Sequence, residues 1–77
     1  MPTYYRNGAL WIELRTRESG HPLPHVHAHF DGKSVSMALN GMVLEGYIRS
    51  DKQKEARDWV IKNSAMLEKE WRRIHNV

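Results

Sequence analysis

Two dipeptides, Asp31-Gly32 and Asn40-Gly41, constrain this chain more than any other feature, because each lies between segments in which apolar and polar residues alternate. A two-residue hairpin turn of the primed type needs positive φ, which glycine adopts freely and Asp or Asn tolerates. With Phe30 opposite Lys33, the first turn pairs His29 with Ser34, Ala28 with Val35, His27 with Ser36 and Val26 with Met37. With Leu39 opposite Met42, the second sets Met37 against Leu44, Ser36 against Glu45 and Ser34 against Tyr47. Apolar residues meet apolar ones under both turns, so the two hairpins share one core face.

Residues 9–15 alternate in the same way, with Leu10, Ile12 and Leu14 on one side and Trp11, Glu13 and Arg15 on the other. The loop TRESGHPLP follows, where Gly20, Pro22 and Pro24 forbid regular structure. Strands are expected over residues 9–15, 25–31, 33–39 and 43–49. From Ser50 the period becomes helical. Ser50 and Gln53 have the spacing of a capping box, and Ala56, Trp59, Val60, Asn63, Leu67, Trp71 and Ile74 follow three or four apart. A continuous helix over residues 51–75 would be roughly 37 Å long, against about 23 Å for a seven-residue strand. It must overhang or break, and the polar pair Asn63-Ser64 marks the break. The expected fold class is α+β: an antiparallel meander of three or four strands with a C-terminal helix or bent helix pair on one face.

Seventy-seven residues are one small domain, residues 1–77, near the size at which folding hides only about 60% of the unfolded chain's surface. With no cysteine, neither disulfides nor a thiolate zinc site can reinforce the core. Packing or self-association must do so, and a homodimer through an overhanging helix or the free edge of the first strand is one route. No signal peptide and no run of roughly 20 apolar residues is present, so a cytoplasmic protein without a membrane partner is expected. The net charge of +3 is a weak argument for nucleic acid, because Lys33, Arg49, Lys52 and Lys54 are scattered around two loops.

Four of the five histidines fall within HPLPHVHAHF, residues 21–30. A strand aligns His25, His27 and His29 on the side away from Val26, Ala28 and Phe30, and the register sets that side towards solvent. There His27, Ser36 and Glu45 form a transverse row, Ser34 and Tyr47 stand beside His29, and Glu13 shares the face. Carboxylates beside imidazoles suit metal binding or acid–base work. Three readings are open. His21, His25, His27, His29 and Glu45 supply ligands for a divalent transition metal such as zinc. Alternatively, His25 and His27 act as an acid–base pair on a phosphodiester, with Ser34, Ser36 and Tyr47 in support and RNA as partner. In the third, the imidazoles are incidental polar surface of a protein-interaction module. All three expect substitution of His25 or His27 to leave stability nearly intact, as at exposed strand positions.

HVHAHF resembles the histidine-triad motif of nucleotide hydrolases and transferases, in which the middle histidine attacks an α-phosphate. That family carries the motif late in a longer domain, whereas one strand precedes it here. A fuller resemblance, over nearly the whole chain, is to the bacterial family called domain of unknown function 4160. It rests on MPT at the start, His21-Pro22-Leu23-Pro24-His25-Val26-His27, VLEG at residues 43–46, and a helix ending WVIKNSAMLEKEW. Members show His-x-Pro-Pro-His-x-His; here Pro22 and Leu23 depart from that order, and His29 stands where members often carry Glu. The resemblance matches His21, His25 and His27 to the family motif and Trp59 and Trp71 to its helical tryptophans, expected in the core. It also implies a toxin–antitoxin-like gene context, and hence a partner protein from the same operon.

Overall fold

The computed structural model describes residues 3–14 and 24–75. Five strands, β1 (Thr3–Asn7), β2 (Leu10–Glu13), β3 (His25–Phe30), β4 (Lys33–Ala38) and β5 (Val43–Gly46), form one antiparallel sheet in chain order. Helices α1 (Ser50–Lys62) and α2 (Ser64–His75) follow. The α+β meander with a C-terminal helix pair is therefore present, with one strand more than the alternation indicates. That strand is β1, which pairs Asn7 with Leu10 across Gly8-Ala9, with Gly8 at φ 63° as the first central residue. Gly-x between strands is itself a hairpin signal, and Tyr4-Tyr5 favours a pleated, half-buried surface. Because β1 covers β2, the strand begun at Leu10 has no free edge. The edges are β1 and β5.

The first glycine turn forms as expected. Asp31 and Gly32 have φ of 52° and 75°, and the pairing runs from Phe30 with Lys33 to His25 with Ala38. The second differs. Gly41 donates its N–H to the Ala38 carbonyl at 2.9 Å, and Ala38 donates to the Met42 carbonyl at 2.8 Å. Leu39, Asn40 and Gly41 thus form a three-residue loop, with Gly41 at φ 91° and the Asn40 side chain accepting the Met42 N–H at 3.0 Å. This slides β5 by one residue, so Met37 faces Val43 instead of Leu44. An irregularity at Leu44 then restores Ser36 opposite Glu45. Two departures cancel, and the polar row survives.

Leu10, Ile12, Leu14, Val26, Ala28, Val35 and Met37 form the core with Ile48, and Ala56 and Val60 of α1 and Leu67 of α2 join them. The helix breaks at Asn63, whose N–H and side-chain amide both donate to the Trp59 carbonyl, at 3.0 and 2.9 Å. Asn63 then accepts from Leu67 to start α2. This is the competition between an Asn side chain and the helical ladder that the sequence indicates. The capping box does not form: Arg49 is the N-cap of α1 without a side-chain cap, and the Gln53 side chain accepts the Ile48 N–H at 3.1 Å. Ser50 is already helical, which removes its hydroxyl from the capping position.

Two tyrosines tie β1 to the helices. Tyr4 donates to Glu70 of α2 at 3.2 Å, and Tyr5 donates to Glu55 of α1 at 2.7 Å, where the Asn7 amide also donates at 2.7 Å. The Tyr5 hydroxyl, then Asn7, hold the Glu55 carboxyl below the usual carboxylate range. A depressed folded pKa means that the unfolded chain binds the proton first as pH falls. The tether therefore stabilises fully above the ordinary Glu value of about 4.3 and is lost as pH drops through the lower folded value. Urea melts of the wild type between neutral and acid pH should lose stability in that window, and Glu55→Gln should flatten the slope there. Leu67→Ala removes a wholly buried side chain and should cost about 2–5 kcal/mol in the same assay.

Candidate functional site

Cross-strand pairing places three rows on the side of the sheet opposite Val26 and Ala28. Trp11, His29 and Ser34 form one; Glu13, His27, Ser36 and Glu45 form the next, across four strands; His25 opposite Ala38 begins the third. Along β3 the rings make a file. Trp71 of α2 lies 5.2 Å from His25, His25 lies 5.2 Å from His27, His27 lies 6.4 Å from His29, and His29 stacks on Trp11 at 4.0 Å between centroids. The Arg6 guanidinium sits over the Trp11 ring, 5.8 Å from its centroid. Ser36 Oγ and His27 Nδ1 are 3.2 Å apart, and the Glu13 carboxylate is 3.7 Å from His29 Nε2.

The histidine face is not a solvent face. His25 is 0% exposed and His27 8%, and Glu13 and Ser36 are buried beside them. The Nε2 atoms of His25, His27 and His29 are themselves buried. The alternation rule separates the two faces of β3 correctly but does not say which face is covered. Trp71 supplies part of the cover: it packs against the main cluster and also touches His25, so α2 joins the two faces at the end of the sheet where β3 begins. Trp71 at the end of the helical stripe and Trp11 beside His29 were the signals, since two indoles on a polar face want burial.

Of the other expected site residues, Glu45 closes the row at the exposed edge strand and Ser34 is exposed beside His29. Tyr47 is not paired with Ser34; it lies beyond the end of β5, 68% exposed, with the Lys33 ammonium 5.6 Å from its ring. His21 lies outside the described residues. Among the described residues, no group of three or more His, Cys, Asp or Glu side chains is placed to hold a metal ion. A metal set built on His25 and His27 would therefore draw its completing ligand from elsewhere, and His21 is the candidate named by spacing. What the described row can do is exchange protons between His27 and Ser36, with carboxylates at both ends of the row.

A second polar assembly, which sequence scatters, gathers where β3, β4 and the start of α1 meet. Phe30 carries the Arg49 guanidinium at 5.0 Å and the Lys52 ammonium at 5.7 Å. Each cation is offset locally: Arg49 by Asp51 at 2.6 Å, Lys52 by Glu55 at 3.6 Å, and Lys54 by Asp58 at 3.0 Å. Hydrogen bonds from Arg49 hold the Asp51 carboxyl below its usual range. The basic cluster is thus largely self-neutralised. No helix among the described residues is long and apolar enough to cross a membrane.

A family model described as "Domain of unknown function (DUF4160)" matches residues 10–72, from the start of β2 through most of α2. No curated protein and no solved structure matches the chain.

The burial of His25 reverses the expectation for its variants. His25→Ala should lower stability by about 2–4 kcal/mol, as a large-to-small change inside a packed interior does. Ser34→Ala on the exposed end of the same face should change it by less than about 0.5 kcal/mol. Equilibrium denaturation of the two variants beside the wild type checks the contrast.

Proposed function

The chain belongs to the DUF4160 family, and we propose that it is a non-enzymatic interaction component of a toxin–antitoxin-like module, which meets a partner protein through the β5 side of its sheet. The observation that supports this most is the burial of His25 and His27. Imidazoles that hold a helix to a sheet are poor contacts for a macromolecular substrate, and their file of rings has a structural task in the interior. Of the five large apolar side chains exposed among the described residues, Met66 lies on α2 and the other four are grouped: Met42, Val43 and Tyr47 around β5, and Ile61 of α1 beside Gly41. Surfaces of this kind mark interaction sites on small domains.

A second reading is favoured by one feature, the row of Glu13, His27, Ser36 and Glu45. In it the histidines take a divalent metal such as zinc, or a phosphate of RNA, with His21 completing the set. Substitutions separate the two. Val43→Arg, on the exposed edge, should abolish co-purification with the small protein encoded beside this one and any growth phenotype of the pair, with the fold intact by circular dichroism. His29→Gln, at the less buried end of the file, should leave both unchanged, and the wild type itself should bind no zinc calorimetrically. The opposite pattern, with zinc bound by the wild type and lost in His29→Gln while Val43→Arg is silent, would replace the interaction reading with the histidine one.

A further inference from the structure

We infer that the β5 side holds an extended, acidic and aliphatic segment of a partner protein, laid across Tyr47 with a carboxylate against Arg57; this rests on the interaction reading above and names what the partner must present. Two cavities meet there. One, of about 620 Å³, is lined by Met42, Val43, Ile48, Gln53, Lys54 and Arg57, and the other, of about 420 Å³, by Phe30, Lys33 and Arg49; they share Tyr47, Ile48 and Ser50. Tyr47 thus lines both cavities, and together they make a trough. Its floor is aliphatic, with Met42 54% and Val43 42% exposed.

Basic side chains outnumber acids along the trough. No acid lines the larger cavity, and Asp31 is the only acid lining the smaller one. Lys54 is engaged by Asp58 and Arg49 by Asp51. Arg57 and Lys33 have no ion pair among the described residues, so these two cations are available to an incoming anion. The backbone shapes the larger end. A side chain at position 41 would meet Ile61 at 2.8 Å and Arg57 at 2.9 Å, so glycine lets the turn lie directly on α1, against the Arg57 stem.

A second copy of this chain is a poor occupant, because it would bring the same cations together on a protein of net charge +3. Single-stranded nucleic acid would meet Tyr47 and the cations, but it has no use for an aliphatic floor of Met42 and Val43. A peptide alternating acidic and aliphatic residues uses both features. It presents an apolar side chain to Val43 and Ile48 and its carboxylates to Arg57 and Lys33. The bulge at Leu44 limits continuous strand addition along β5, so side chains, more than main-chain ladders, carry the recognition.

The test titrates the isotope-labelled full chain with an acetylated Glu-Leu-Glu-Leu-Glu peptide, its Lys-Leu counterpart and an oligouridine, following backbone amides. The acidic peptide should shift the amides of residues 41–43, 47–48 and 53–57, and the basic one should not. Arg57→Glu should weaken the acidic peptide by about tenfold or more. Higher salt should weaken it as well. Absence of shifts with the acidic peptide, equal binding of the basic peptide, indifference to Arg57→Glu, or stronger shifts of the same amides by oligouridine would each overturn the inference. A photo-cross-linker at Met42 in cells reads the broader proposal separately. A cross-linked partner with a silent acidic peptide would keep the interaction module and reject this occupant, whereas neither signal would reject both.

Discussion

The structure depends on β3 being the middle strand of five and being covered on both sides. A central strand makes ladders with two neighbours, so its register dictates theirs, and here β3 aligns β2 and β4 row by row. Burial on both faces asks for apolar residues twice over. This strand meets the demand on one side with Val26 and Ala28. On the other it uses rings whose flat faces are apolar and whose nitrogens need partners, which brings Ser36 and Glu13 into the interior, with a half-buried indole at each end. In a domain this small and without cysteine, that second packed face adds burial that disulfides cannot supply.

Much of this was legible in the residues. The Asp31-Gly32 turn and its register read directly, because two positive-φ residues between alternating segments leave one solution. The interruption at Asn63 was legible from geometry, since a helix longer than the sheet has to end or project. The Asn40-Gly41 turn misleads by one residue because Asn-Gly also suits a loop in which glycine is the third member, and Asn40 uses its side chain to close that loop. Strand β1 does not read from the residues, because TYYRN before the signal at Gly8 lacks the alternation that residues 9–15 show.

The site was legible in its geometry and illegible in its environment. Pairing alone places His27 between Glu13 and Ser36, because cross-strand neighbours follow from register. Whether a face is covered depends on where a distant helix lands, and Trp71 reaches β3 only after the chain has turned at Asn63. Local alternation contains no information about that arrival. The grouping of Lys33, Arg49, Lys52 and Arg57 around Phe30 and Tyr47 is equally non-local: it depends on the β4–β5 loop meeting α1 at Gly41.

The stacking of His29 on Trp11 gives the molecule an intrinsic optical gauge. Indole emission is quenched when a neighbouring imidazole acquires a proton, because the imidazolium accepts an electron from the excited ring. Trp59, its ring tilted 5.4 Å from that of Tyr5 on the opposite side of the sheet, has no imidazole against it among the described residues. Of the three indoles, Trp11 and Trp71 stand against His29 and His25 and sense the charge on the histidine file, while Trp59 reports from the other side of the sheet. The same contact that fills the interior lets that interior be read without a label.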